Sequence, residues 1–351
     1  MIVLAMVSNP YLKSVGIIWT TYHYYLGEIA SLLADSQTRV TVYLYSKSSE
    51  TPAPIQGVTF IFMSNTSFDA LKEEIEKAHH KSVLICGWHI KLFRFLARNL
   101  NSKVFLFIDN PWRRTLRQLA GSLFFRIFWL RNYDGVIVPG VPQKKFAHFL
   151  GFKEERIQVG FFSFLNKSLT TGLSNNPTRE FIFIGRLIAW KGILELAHAY
   201  AKYRSLVCNP WPLIVCGDGV LRGEIDNIEG LELKGFLQKE ELFAELKKRR
   251  VFISCGLGEH WGISIYEATF FGHPLILSSN AGAATTYLIH GINGISINGR
   301  DSEDILDALL HFHEMNDSEL DLYSINSARI ASGHDSEYFK TKVIPFIFDE
   351  E

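Results

Sequence analysis

Two glutamates, Glu259 and Glu267, lie with seven residues between them in the stretch SCGLGEHWGISIYEATFFGHPLI, Ser254 to Ile276. Two acids set around a tryptophan and a glycine suit four purposes: a general acid/base pair, a metal site, a sugar site, or unrelated surface charge. A hydrolase-type pair requires a definite separation of its carboxylates, which a sequence does not carry. A metal site is poorly supported, because His260 adjoins Glu259 but no second His or Asp sits at ligand spacing. The local pattern reads as a strand (RVFISCG), a loop (LGEHWG) and a helix (ISIYEATFFG) ending at Gly272. Glu259 then lies in the loop and Glu267 on the helix. The N–H groups of Trp261, Gly262 and Ile263 at the helix start point outward, toward phosphate or sugar oxygens. A carboxylate that accepts from two neighbouring hydroxyls is a natural ligand for a sugar or a ribose.

A second group of candidates lies in FIFIGRLIAWKGILELAHAY, where a strand ends at Gly185 and a helix begins near Gly192. Arg186 and Lys191 between them offer a planar fork and a point charge beside a helix N-terminus. That is a good place for a diphosphate, although two solvated loop charges would read the same way. Gly217-Asp218-Gly219 also follows a strand and precedes a helical pattern. It suits either close approach of a nucleotide or a tight turn with Asp218 as N-cap. A dehydrogenase is disfavoured. The turn expected after the first strand holds one glycine, Gly16, and lacks the G-x-G-x-x-G fingerprint.

Short apolar runs followed by helical patterns must position these groups. IVLAMVS, RVTVYLYS, SVLICGW, KVFLFID and DGVIVPG form one series. EFIFIGR, PLIVCGDG, LELKGF, RVFISCG and PLILSS form another. Continuous apolar strands alternating with helices indicate parallel sheets covered on both faces. The expected fold class is α/β, with two Rossmann-like doubly wound domains facing a central cleft, and ligands at the carboxyl ends of the strands. The boundaries are 1–165, a Ser/Thr/Asn-rich linker at 166–179, and 180–334, with 335–351 packing back on the first domain. The 351 residues suffice for two domains; 47% are hydrophobic and 21% charged, which is globular. Zero formal net charge gives no electrostatic case for nucleic acid.

The four cysteines are scattered and read as small buried hydrophobes in a reducing cytosol. The apolar N-terminus lacks the marks of a signal peptide, and no run is long enough to span a bilayer. Trp112 to Tyr133 has five arginines, no acids and many aromatics. Such a helix either lies on an anionic membrane surface or is buried with its arginines reaching outward.

Taken together, GRLIAWKG (Gly185 to Gly192), CGDG (Cys216 to Gly219), EHWGISIYEATFFGHPLI (Glu259 to Ile276) and HGINGISI (His290 to Ile297) resemble the retaining family 4 glycosyltransferases of the GT-B fold. Order and spacing fit over residues 180–312, and the acid pair corresponds to that family's E-x7-E motif. The resemblance implies transfer of a sugar from a nucleotide diphosphate sugar to a glycan or glycolipid hydroxyl, in cell-envelope polysaccharide synthesis. It implies a nucleotide-sugar domain at 180–334, an acceptor domain at 1–165, and no required metal or other cofactor. Arg186 and Lys191 would hold the diphosphate, Glu259 the donor sugar and Glu267 the ribose. The loop amides of His260, Trp261, Gly262 and Ile263 would contact the sugar or distal phosphate, and Gly16 would approach the donor phosphate. Many relatives carry a His after the strand ending at Ile108, where this chain has Asp109 and Asn110. Asp109 is therefore expected either as a polar contact to acceptor or donor, or as a helix N-cap. NAGAATTYL (Asn280 to Leu288) lacks the acid that relatives often show there. The setting implied is cytoplasmic, either free or peripheral at the inner face of the plasma membrane. A phosphorylase or epimerase on the same scaffold, or a non-catalytic nucleotide-sugar-binding protein, remain as alternatives.

Overall fold

The computed structural model describes residues 13–34, 38–46, 50–63, 67–173 and 177–348. The chain divides into two compact units. The first takes in the described residues through Pro139, Gln143–Phe164 and the segment from Ser336 onward; the second takes in Gly140–Pro142 and Leu165–Asp335.

The first unit is built on seven parallel strands: β1 Lys13–Trp19, β2 Thr38–Leu44, β3 Val58–Phe62, β4 Ser82–Cys86, β5 Lys103–Phe107, β6 Gly135–Val138 and β7 Ile157–Val159. Their order is β3-β2-β1-β4-β5-β6-β7. Crossovers between them include α1 Tyr24–Leu33, α2 Phe68–Lys77, α3 Lys91–Asn99, α4 Leu116–Phe128 and α5 Val141–Phe149. The strand expected at Ile2–Ser8 lies outside the described residues. Gly16, expected in the turn after the first strand, instead lies buried within β1. A Cβ there would meet the His80 imidazole at 2.9 Å, so the requirement for glycine is packing room for that ring. His80 is bonded to the hydroxyls of Ser14 (2.8 Å) and Tyr43 (3.0 Å). Burial first, and Arg39 second, push it down to about pKa 4, so it serves as a neutral core group.

The second unit holds six parallel strands: β8 Phe181–Ile184, β9 Leu213–Cys216, β10 Leu231–Gly235, β11 Val251–Ser254, β12 Leu275–Ser278 and β13 Gly294–Ile297. Their order is β10-β9-β8-β11-β12-β13. The helices α6 Ile193–Leu206, α7 Lys239–Leu246 and α8 Ile263–Phe270 belong to it. β8 and β9 are apolar throughout, and β11 and β12 are apolar up to a closing serine, with Phe181, Ile253 and Ile276 fully buried, which is why each reads as a nearly unbroken run. Strand order reverses between β8 and β11, which pair Phe181 with Val251 and Phe183 with Ile253. The loops leaving those two strands therefore emerge side by side, at the place where open α/β sheets bind ligands.

Candidate functional site

The loop leaving β8 runs from Gly185 into a 3-10 turn at Ala189–Lys191 and then α6. Gly192 caps that helix at φ 72°, and a Cβ there would meet the Cys255 carbonyl oxygen at 2.5 Å. Only glycine lets the start of α6 sit against the loop leaving β11. Cys255 is fully buried in that contact, and burial drives its thiol pKa well up. This cysteine is a packing group, as its sequence setting suggests. Cys216 is buried too, whereas Cys208 is exposed; all four cysteines are free thiols.

The loop leaving β11 places Glu259. Its carboxylate pairs with the ammonium of Lys191, and the two side chains are each only 13% exposed. Glycines make room on both sides: a Cβ at Gly256 would lie 3.3 Å from the Glu259 carboxylate, and one at Gly262 would lie 3.1 Å from its Cγ. Gly282 and Ala283 donate their amides to the carbonyls of Glu259 (3.2 Å) and Trp261 (2.9 Å), so the Asn280–Ala283 turn braces this loop. Trp261 is buried at 3% exposure against Tyr287, and its indole N–H has no partner. His260 is exposed.

Gly262 adopts φ 100° and opens α8. The amides of Ile265 (3.1 Å) and Tyr266 (3.4 Å) donate to the Gly262 carbonyl, whereas the Ile263 amide comes before the first that has an intrahelical acceptor. Glu267 follows one turn later, 2% exposed, with its Oε1 unbonded. Burial alone pushes its carboxyl up to about pKa 8, so near neutral pH it is mostly protonated. A buried acid with an unsatisfied oxygen costs stability, which makes Glu267 a candidate for a site.

Arg186 is exposed, and its guanidinium lies over the Trp190 ring at 5.6 Å. The Lys191 ammonium lies over the same ring at 4.7 Å. Trp190 was not a sequence candidate. Its signal was present, as the aromatic preceding Lys191 between two cations. It also accepts the Leu257 amide at its carbonyl (2.8 Å), tying the two loops together.

The Gly217-Asp218-Gly219 turn holds no long helix after it; only a 3-10 turn at Arg222–Glu224 follows. Asp218 is therefore not a helix N-cap, and its carboxylate accepts the Gly219 amide at 2.8 Å. The glycines are required by backbone contact. A Cβ at Gly217 would sit 1.9 Å from the Gly185 carbonyl, and one at Gly219 2.4 Å from that of Leu187. The amide of Leu187 in turn bonds the carbonyl of Asp218 (2.9 Å).

The structure thus joins Arg186 and Lys191 through Trp190, and Lys191 to Glu259, with Gly262, Ile263 and Glu267 on the element that follows. Gly16 and Asp109 belong to the other unit. Asp109 follows β5 and is partly buried, and Gln143 donates to its carbonyl (3.0 Å). It is not an N-cap: Thr115 caps α4, its hydroxyl accepting the Gln118 amide. Among the described residues no group of three or more His, Cys, Asp or Glu could hold a metal ion, and no helix is long and apolar enough to cross a membrane.

Comparison with known proteins adds the following. Residues 170–329 match the family Glycosyl transferases group 1. The D-rhamnosyltransferase WbpZ of Pseudomonas aeruginosa is 30% identical over 128 residues, 34% of this chain and 32% of that protein. The match therefore spans about a third of the relative's length. Among solved structures, a glycosyltransferase from Rickettsia africae superposes with a TM-score of 0.74 at 12% identity, covering 97% of this chain and 100% of that one. Anabaena HepE in complex with UDP-glucose gives 0.70 at 15% identity, covering 93% and 97%. WaaG, a glycosyltransferase involved in lipopolysaccharide biosynthesis, gives 0.67 at 15%, covering 95% and 99%. At these identities the likeness is one of fold.

Proposed function

We propose, from the match of residues 170–329 to the family Glycosyl transferases group 1, that the protein moves a sugar from a nucleotide diphosphate sugar to a hydroxyl of a glycan or lipid-linked glycan, retaining the anomeric configuration. The observation that carries this reading is the largely buried Lys191–Glu259 pair beside an element bearing the buried carboxyl of Glu267, whose Oε1 is unbonded. The diphosphate takes Arg186 and Lys191. As phosphate replaces Glu259 at the ammonium, the freed carboxylate turns to the hydroxyls of the transferred sugar. The ribose hydroxyls give the Glu267 carboxyl the partner it lacks. Amides at the start of α8 face phosphate or sugar oxygens. The cations stabilise the charge that grows on the departing diphosphate, and their fixed placement makes that stabilisation effective in the transition state. Asp109 supplies a polar contact to acceptor or donor. Cell-envelope polysaccharide assembly at the inner face of the plasma membrane is the setting proposed; WaaG, a fold neighbour involved in lipopolysaccharide biosynthesis, supports the polysaccharide part.

The test is a thermal-shift screen of UDP, GDP and ADP sugars, UDP-glucose first, followed by an assay of diphosphate release. One nucleotide should raise the melting temperature, and Glu259→Ala should abolish release. Tight nucleotide binding with no release in either protein would make the molecule a nucleotide-sugar-binding protein instead.

A further inference from the structure

Helix α4 presents its surfaces in an unusual sense. The positions turned toward the body of the first unit are Gln118, Gly121, Ser122 and Phe125; of these only Ser122 and Phe125 are buried. Phe125 packs on Trp88 (5.3 Å) and Tyr133 (5.7 Å), and Gly121 lies against Trp88. The outward positions are apolar. Leu116 is 83% exposed, Leu123 61% and Ile127 60%, and Leu119, Phe124 and Phe128 are exposed as well. An ordinary surface helix carries its apolar stripe inward, so here the pattern is inverted. Six large apolar side chains on 13 residues form a continuous patch of the kind that marks an interaction surface.

The charge around the patch identifies what it meets. Trp112 to Tyr133 contains five arginines and no acid. Arg113, Arg114 and Arg117 are exposed before and within the first turn of α4, and Arg131 is exposed after its last. Arg126 is also surface-lying, its guanidinium donating to the carbonyls of His148 and Phe149. The nearest acid in sequence, Asp134, spends its carboxylate on the Val104 amide (2.7 Å). A protein partner burying this patch would have to supply several carboxylates around an apolar centre. An anionic bilayer offers both features at once, acyl chains beneath and phosphate above.

We propose that α4 is an in-plane anchor for an anionic lipid surface. Leu116, Leu119, Leu123, Phe124, Ile127 and Phe128 enter the acyl boundary, and the arginines at its ends meet the headgroup phosphates. The argument rests on this surface alone and is independent of the donor chemistry.

Flotation of the full chain with vesicles tests it. Wild-type protein should float with vesicles of phosphatidylglycerol and phosphatidylcholine, float little with phosphatidylcholine alone, and be released by high salt. Leu123→Glu with Ile127→Glu should weaken vesicle binding by at least about tenfold, since two buried apolar side chains are lost. Arg113→Glu with Arg117→Glu should weaken it while reducing its dependence on salt. Both double variants should keep the wild-type melting temperature and nucleotide binding, because every substituted position is exposed. No flotation with anionic vesicles overturns the proposal, as does flotation unchanged by both variants. A wild-type dimer in solution that Leu123→Glu makes monomeric, with no vesicle binding, would assign the patch to a second copy instead.

Discussion

Lys191 and Glu259 form an ion pair across the loops that leave two neighbouring strands, and both side chains are largely shielded from water. The cation proposed for phosphate is thus held by the acid proposed for sugar. Each holds the other in place until a ligand divides them. Partial burial makes the pair sensitive to loss of one member, because the survivor is left poorly solvated. Lys191→Ala should lower turnover by more than about tenfold, since a charge-assisted phosphate contact contributes about 1.5–3 kcal/mol. Lys191→Met with Glu259→Gln should destabilise the fold less than the sum of the single changes. Initial rates of wild type and Lys191→Ala measure the first effect, and melting temperatures of wild type, Lys191→Met, Glu259→Gln and the double variant measure the second. Wild-type turnover in Lys191→Ala would remove it from the site, and strict additivity would mean that the pair is not coupled.

Glu267 links both stability and binding to pH. Its folded pKa, about 8, lies above the ordinary value of 4.5. Between those values the folded chain keeps a proton that the unfolded chain gives up. The contribution to stability is present below pH 4.5 and is lost as pH rises toward 8. Glu267→Gln should therefore gain several degrees in melting temperature over wild type at pH 8.5, and little at pH 5. Ribose hydroxyls that donate to the carboxylate favour its ionised form. Nucleoside diphosphate binding should then release a proton between pH 6.5 and 8 and tighten as pH rises. Calorimetry in buffers of different ionisation enthalpy reads that proton; no exchange in wild type, or the same exchange in Glu267→Gln, would contradict the assignment.

Gly217 is fixed by contact with backbone. It sits at φ 147°, and a Cβ would fall 1.9 Å from the Gly185 carbonyl. Neither partner can swing aside as a side chain could. Gly217→Ala should lower the melting temperature of the second unit by roughly 5 °C or more and weaken nucleotide binding with it. Gly223→Ala is the control, because a Cβ there meets nothing within 4 Å. Equal melting temperatures for the two variants would show that the turn yields.

Much of this architecture can be read from the chain because its central strands are buried on both faces. Phe181–Ile184 is apolar without interruption and Val251–Ser254 is apolar up to Ser254, and runs this short between turn residues suit a strand buried on both faces. Edge strands are harder to see. Val58–Phe62 alternates between half-buried and exposed positions, and Ile157–Val159 has three residues. A glycine near a polar run suggests a turn, whereas the reason for Gly16 here is the His80 imidazole, brought in by the segment just before β4. The alternation of strand, loop and helix placed Glu259 and Glu267 correctly on their elements. Their distinct environments were not legible. The Lys191 partner depends on which strands are neighbours, and the isolation of Glu267 depends on everything packed around α8. The exposure of α4 was equally hidden, because residues apolar all round fit a buried helix and a lipid-facing one alike.

The segment from Ser336 completes the first unit. Ser82 donates to the Ile347 carbonyl at 2.6 Å, Phe346 packs on Phe105, and Tyr338 bonds the Val159 carbonyl. Phe346 also fills the space that a side chain at Gly135 would occupy. During synthesis, therefore, the unit that leaves the ribosome first waits for residues made more than a whole unit later. The second unit has all its strands in hand before the first can close its core. Emergence in sequence order does not impose folding in sequence order here. Chains truncated before Ser336 and released from the ribosome should display a protease-resistant second unit beside a first unit that is still digested.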